Sequence, residues 1–298
     1  IEVTTLSGNL FGEVTNKVTV NGNVKLGEAV GIATKVSGEI STGAIEVTTL
    51  SGNLFGEVIN KVSASGITVT TMNGALVNVM TSGSVNTGAV TVTNLNKPIV
   101  TTFTNGTMTT GNIKVTTLNT SLVTTFNGGT LSGTSNQTTV RITVEDGITV
   151  PIFADVLGGT VKNYVVSGNV TLGGTAKGAL VNTNNGTMTN LTLKTTTVTV
   201  EAAEDATIGT LVGTNNATLT GCKLEGTDEE VALAGIVAFE EFLRSINMPT
   251  TISEMGIELT DEIIDQLAWM CTFKGKRTIG AFKVLELEDI KKVYHMAK

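Results

Sequence analysis

Apolar residues in the first three quarters of the chain keep a fixed distance from one another rather than forming long runs. In Leu180–Met188 (LVNTNNGTM) an apolar pair is followed by a polar turn, a Gly-Thr step and a second apolar residue. The same layout begins at Leu10, Ile32, Leu54, Leu76, Ile99, Leu122, Phe153, Leu180 and Leu211. Its second apolar position follows at Val18, Ile40, Val62, Val85, Met108, Leu131, Val161, Met188 and Leu219. Most units add a third position about five residues on, at Ile45, Ile67, Val90, Ile113, Leu193 and Leu224. Each unit therefore predicts three short strands of alternating apolar and polar residues, separated by Gly, Asn, Ser and Thr turns.

Successive starts lie 22 or 23 residues apart as far as Leu122, then 31, 27 and 31. Ile1–Val18 recurs as Ile45–Val62 with one difference, Thr15 against Ile59, so two whole units were copied. A unit this short cannot bury its own apolar side chains, but stacked units can pair equivalent strands in parallel around a continuous interior. The predicted fold is mostly β: a parallel β-solenoid of about nine rungs of 22–31 residues over residues 1–226, followed by a three-helix tail over 227–298. At about 4.8 Å per rung, the rod would be on the order of 40 Å long. A sandwich of hairpins is the competing all-β arrangement. Asp146-Gly147, between Val140–Val144 and Ile148–Ile152, has the form of a hairpin turn, read as a local excursion because the offset of eight or nine residues is so regular. Thr134–Val150 and Glu201–Asp205 should hold the added residues as longer loops.

After Gly226 the apolar period changes from two to about 3.6, the helical value. Thr227–Glu230 has the form of a capping box, and Val231, Gly235, Ala238, Phe239, Phe242, Leu243 and Ile246 share one helical face before Pro249. A second helix should start at Thr260 or Asp261 and bury Ile263, Ile264, Leu267, Ala268 and Cys271. A third should cover Glu286–Ala297 with Ile290, Val293, Tyr294 and Ala297 inward. The tail is expected to cap the last rung, whose strand edges would otherwise be open.

Composition narrows the function more than it names one. Charged residues make up 15% and the net charge is -7, which offers no basic footprint for nucleic acid and no polybasic membrane patch. No apolar run is long enough for a membrane span. Two cysteines without C-x-x-C spacing and a single histidine exclude a Cys/His zinc site and leave no disulfide framework. The chain opens at Ile1 inside a repeat, so a fragment or processed form is expected.

Candidate chemistry is sparse, and no catalytic, cofactor-binding or metal-binding residue is assigned. His295 reads as a helix-end surface residue, while Cys222 and Cys271 read as packed thiols. Glu145-Asp146, Glu201, Glu204-Asp205 and Asp228–Glu230 could offer oxygens to calcium, but none has the Asp-x-Asn-x-Asp-Gly layout. Glu13 and Glu57 recur as products of the duplication, and no acid pair repeats on one face as sugar hydrolysis would need. Gly158-Gly159 and Gly275-Lys276 fit neither phosphate-loop pattern. Asn-x-Ser/Thr triplets at Asn105, Asn119, Asn136, Asn169, Asn185, Asn190 and Asn216 mostly fall where turns are expected. In this reading Met188 points inward, whereas Asn184 is a turn residue that should tolerate change.

Two resemblances bear on function. Gly209–Gly226 (GTLVGTNNATLTGCKLEG) resembles the GLUG repeat of bacterial surface proteins, with looser matches at Gly74–Asn78 and Gly178–Asn182. That resemblance implies a non-catalytic, adhesin-like surface or secreted protein with a protein or carbohydrate ligand, located outside the cell. Gly235–Ile257, Arg277–Phe282 and Leu287–Tyr294 resemble the C-terminal helices of iron-containing alcohol dehydrogenases. That family implies a cytoplasmic NAD(P)-dependent oxidoreductase with a metal held by one Asp and three His. The upstream segment carrying those ligands is here solenoid sequence, so no ligand position carries over. A chimera, in which the tail lacks a complete active site, is the alternative reading. A polysaccharide-active β-helix is a third, disfavoured by 4% aromatics.

Overall fold

The second and third apolar columns expected from the repeat are parallel ladders in the computed structural model, which describes residues 1–134, 140–201, 207–226, 243–244, 246, 248–280 and 283–298, while most first-column residues sit in bends just before a strand. The chain divides into two compact units, Ile1–Thr227 and Asp228–Lys298. The first is a parallel β-solenoid of about eight turns, strung between the nine stations Leu10 to Leu211. It opens with β1 (Glu2–Val14), β2 (Lys17–Thr19), β3 (Val24–Val36), β4 (Glu39–Leu50), β5 (Phe55–Val58) and β6 (Lys61–Met72). Stacking gives each strand a neighbour one rung away, so β1 pairs β3, β2 pairs β4 and β4 pairs β6.

The second column runs Val18↔Ile40↔Val62↔Val85↔Met108↔Leu131↔Val161↔Met188↔Leu219 in unbroken register. The third runs Val24↔Ile45↔Ile67↔Val90↔Ile113↔Ile142↔Val166↔Leu193↔Leu224. The first column stands on backbone hydrogen bonds such as Val100 N–H to the Leu122 carbonyl and Leu180 N–H to that of Leu211. Because alternate residues of a strand face opposite ways, these columns fill one continuous core as far as Met188 and Leu193, while Leu219 and Leu224 in the last rung are exposed. Hydrophobic transfer into that core is the main favourable term.

A fourth inward column, Val36↔Val58↔Met80↔Phe103↔Phe126↔Leu157↔Asn184, fills a corner and ends against the exposed Asn215. Phe103 and Phe126 stack face to face there, with ring centroids 5.0 Å apart. This packing explains the Gly half of the Gly-Thr step. A Cβ on Gly129 would lie 2.5 Å from the Phe103 ring, and one on Gly159 would lie 2.4 Å from the Phe126 ring. Gly83, Gly106, Gly129, Gly159 and Gly186 thus form a stacked glycine column beside the aromatic corner. Gly158-Gly159 belongs to that column.

Two loop expectations need correction. Thr134–Val150 contains a strand, Arg141–Val144, which pairs in parallel with Ile113–Leu118 on one side and Thr160–Ser167 on the other. Asp146-Gly147 is therefore no hairpin turn. Ile148 beyond it bridges Val170 in parallel, and Gly147 takes φ +100° to turn the chain along the rung. The same corner then lengthens rung by rung. Its two largest versions build an added parallel pair, Val170–Gly173 with Val198–Glu201. Residues 202–205 of the second expected loop lie outside the described residues.

In the second unit, α1 (Asp261–Cys271) begins where Thr260 accepts the Ile263 N–H at its hydroxyl, 3.3 Å away. α2 (Leu287–Met296) begins at Glu286, whose backbone N–H donates to Asp289. Ile264, Ala268 and Ile290 are buried as expected, while Ile263 and Val293 are exposed and Leu267, Cys271, Tyr294 and Ala297 half-buried. The Lys291 ammonium joins the helices at 2.8 Å from Asp265. That contact, seconded by Glu288, raises the Lys291 pKa above its ordinary value. Nearly all of the first expected tail helix, including the Thr227–Glu230 box, lies outside the described residues.

Candidate functional site

Alternation that sends apolar residues inward sends polar ones outward, so chemistry on this fold is arranged in columns along the rod. Near the start these columns carry charge. Glu2↔Lys25↔Glu46, Glu13↔Lys35↔Glu57 and Lys17↔Glu39↔Lys61 each alternate in sign from rung to rung. Lys35 lies 3.8 Å from Glu13 and 3.5 Å from Glu57, and Lys25 lies 3.8 Å from Glu46. Glu13 and Glu57 are thus opposed to a lysine in the rung between them. The sequence already carried the signal, since opposite charges recur at the rung spacing. Further along, the outward positions become Ser84, Thr107, Thr130, Thr160, Thr187 and Thr218, one column of hydroxyls.

The strongest calcium candidates are engaged within the fold. Glu145 accepts from the Lys114 ammonium at 2.7 Å and from the Thr116 hydroxyl at 2.7 Å, and Asp146 accepts from Thr117 at 2.6 Å. The Lys114 contact, then the Thr116 hydroxyl, hold the Glu145 carboxyl below its ordinary value of 4.5. A folded pKa below the unfolded one stabilises the fold above the unfolded value, and this is lost as pH falls through the folded value. A carboxyl-detected NMR titration should place the Glu145 midpoint below 4.5, and Lys114→Met should move it upward. An unmoved midpoint would remove the ion pair as the cause. Glu201 ends an exposed strand, and Glu204-Asp205 and Asp228–Glu230 lie outside the described residues. Among the described residues no group of three or more His, Cys, Asp or Glu is placed to hold a metal ion.

His295 is exposed in the last turn of α2. Cys222 and Cys271 are both half-buried free thiols, and burial raises the Cys222 pKa, which disfavours a reactive thiolate. Tyr164 is fully buried against Phe153 and shares a 2.9 Å hydrogen bond with the Thr110 hydroxyl, with its pKa pushed up by desolvation. It is a satisfied core residue rather than an acid or base.

Asparagine has the most organised role. Asn119 donates to Asn96 at 2.8 Å and Asn96 to Asn73 at 2.9 Å, an amide ladder climbing three rungs. Asn216 donates to Asn185 at 2.9 Å and Asn190 to Asn163 at 3.3 Å. Asn169 accepts from Thr196. Five of the Asn-x-Ser/Thr asparagines, Asn119, Asn169, Asn185, Asn190 and Asn216, thus hold rungs together. Asn182, read from sequence only as part of the repeat's polar turn, is a corner hub: its carbonyl accepts from the Lys177 and Gly178 N–H groups, and its amide donates to Asp155 and Thr175.

No family model, no curated protein and no solved structure matches this chain. The fold alone assigns the class: a parallel β-solenoid with a separate, partly helical C-terminal unit. No helix among the described residues is long and apolar enough to cross a membrane.

Proposed function

We propose that this chain is a non-catalytic segment of a repetitive surface or secreted protein, acting as a structural spacer or adhesive rod. The observation that carries the reading is the disposition of its polar side chains. Carboxylates, ammonium groups and amides bond to their counterparts along the stack, so the chemistry is spread in columns rather than gathered in a cleft. A solenoid of this kind offers long faces for a partner, as extended repeat proteins do. The resemblance of Gly209–Gly226 to surface-protein repeats points the same way, towards an extracellular or cell-surface setting with a protein or carbohydrate partner.

The test pairs two measurements on the full chain. Saturable binding to at least one member of an array of glycans and matrix proteins is the expected result. The second is alcohol oxidation with NAD(P) and added iron or zinc, prompted by the tail's resemblance to iron-containing alcohol dehydrogenases. Turnover above a metal-free control would overturn the structural reading and establish an oxidoreductase instead.

A further inference from the structure

Five Asn-Gly steps lie between strands of the solenoid: Asn21-Gly22, Asn73-Gly74, Asn105-Gly106, Asn127-Gly128 and Asn185-Gly186. In an unfolded chain all five are open to the same side reaction, because glycine has no Cβ to screen its nitrogen from the preceding side chain. The fold separates them. The Gly22 N–H is given to the Val20 carbonyl at 3.0 Å, and the Gly128 N–H to that of Phe103 at 3.2 Å. Asn73 accepts the Asn96 amide at 2.9 Å, and Gly74 is buried. Asn185 accepts the Asn216 amide at 2.9 Å, while the Gly186 N–H goes to Asn184 at 3.1 Å. Asn105 is different. It is exposed, and its side-chain carbonyl accepts the N–H of its own neighbour Gly106 at 2.8 Å. Among the described residues its amide nitrogen has no partner, and Asn105 is the one described Asn-x-Ser/Thr asparagine whose side chain bonds no other rung.

From this comparison we propose that Asn105 is a self-modification site, deamidated through a cyclic imide by the Gly106 backbone nitrogen with solvent water as co-reactant. The 2.8 Å contact already holds that nitrogen beside the Asn105 Cγ carbon, as an intramolecular attack requires. A solvent base removes the Gly106 N–H proton and the nitrogen bonds to Cγ. The Cγ–Nδ2 bond then breaks, and the amide nitrogen leaves as ammonia. Water opens the imide at either carbonyl. One opening gives aspartate, and the other gives isoaspartate, in which the main chain runs through the side-chain carbonyl. In both, an amide and a water have become a carboxyl group and ammonia. Isoaspartate lengthens the main chain by one carbon at the corner between the Phe103 and Met108 columns. The Gly83 carbonyl that accepts the Thr107 N–H at 2.9 Å is held in its own rung, so the longer corner weakens that bond first. The rod thus carries, at one corner, a reaction that adds a negative charge and loosens the local register.

Peptide-mapping mass spectrometry of the full chain, stored in mildly alkaline buffer with a parallel sample in denaturant, tests this. In the folded chain the Asn105 peptide should convert at least about tenfold faster than the peptide of any other Asn-Gly step, yielding isoaspartate together with aspartate. In denaturant the five should convert at similar rates, because the contact that selects Asn105 is gone. The control variant is Asn105→Gln, since Gly106 takes φ +94° and a Cβ there would lie 2.7 Å from the Gly83 carbonyl oxygen. Glutamine keeps an exposed amide but enlarges the ring that must close, so this position should stay unconverted. Another Asn-Gly step converting as fast in the folded chain, aspartate as the sole product, the same lead for Asn105 in denaturant, or conversion in Asn105→Gln would each overturn the proposal.

Discussion

Met188→Asp is expected to unfold the last rungs while leaving the first ones standing. Met188 is 0% exposed and lies between Val161 and Leu219 in the second column. The introduced carboxylate would have apolar partners in its column on both sides and no cation, so it must be neutralised, draw in water or separate the rungs. The expected cost is about 4–5 kcal/mol, the range reached when an unpaired charge enters a core. In a stack, each rung is supported chiefly by its neighbours, so the damage should be local. Hydrogen exchange should show protection lost from Thr160 onward through Thr220, while residues 24–110 keep theirs. Met188→Leu, which keeps volume and polarity, should cost about 1 kcal/mol or less. Uniform loss of protection along the solenoid would contradict a nearest-neighbour stack.

The second large effect is expected where the sequence predicts near silence. Asn184 lies in a polar turn of the repeat, yet it is 0% exposed and occupies the inward corner column above Leu157. Its amide donates to the Asn215 side-chain carbonyl at 2.7 Å, and its own carbonyl accepts the Gly186 N–H at 3.1 Å. Asn184→Asp deletes the donor and turns a carboxylate towards another acceptor. Asn215 cannot simply reverse its amide, because its own N–H group is given to the Ala217 carbonyl at 3.1 Å. The expected loss is about 2–4 kcal/mol at neutral pH, combining a lost buried hydrogen bond with an uncompensated charge. Burial raises the pKa of the introduced carboxyl, so the deficit should shrink as pH falls through that raised value and a donor proton returns. Thermal melts at pH 7 and pH 5 check both parts. A melting temperature unchanged from the parent chain at pH 7 would restore the turn-residue reading.

The contrast between these sites marks what the sequence by itself determined. On the flats of each rung, alternation assigns a side chain to the core or to solvent one residue at a time. Met188 and the second-column residues from Ile40 to Val161 could therefore be placed inside from spacing alone, whereas Leu219 in the last rung is exposed. The repeat interval then fixed their partners, since equal offsets can be satisfied by stacking in register. Helix starts near Thr260 and Glu286 were legible for a comparable reason: the helical apolar period is a local pattern.

Corners were decided only in three dimensions. There the two-residue alternation breaks, so Asn184 and Leu157 share an inward column although one is a polar turn residue and the other is apolar. Asp146-Gly147 suits a hairpin or a rung corner equally well, and the partners of Arg141–Val144 and Ile148 settled which. The charge columns depended on the tertiary fold in another way. Glu13 and Glu57 looked like copied residues without a role until parallel register set Lys35 between them. Pairing across the stack couples residues 21 or more apart, and it is this coupling that gives a turn asparagine or a repeated glutamate its environment.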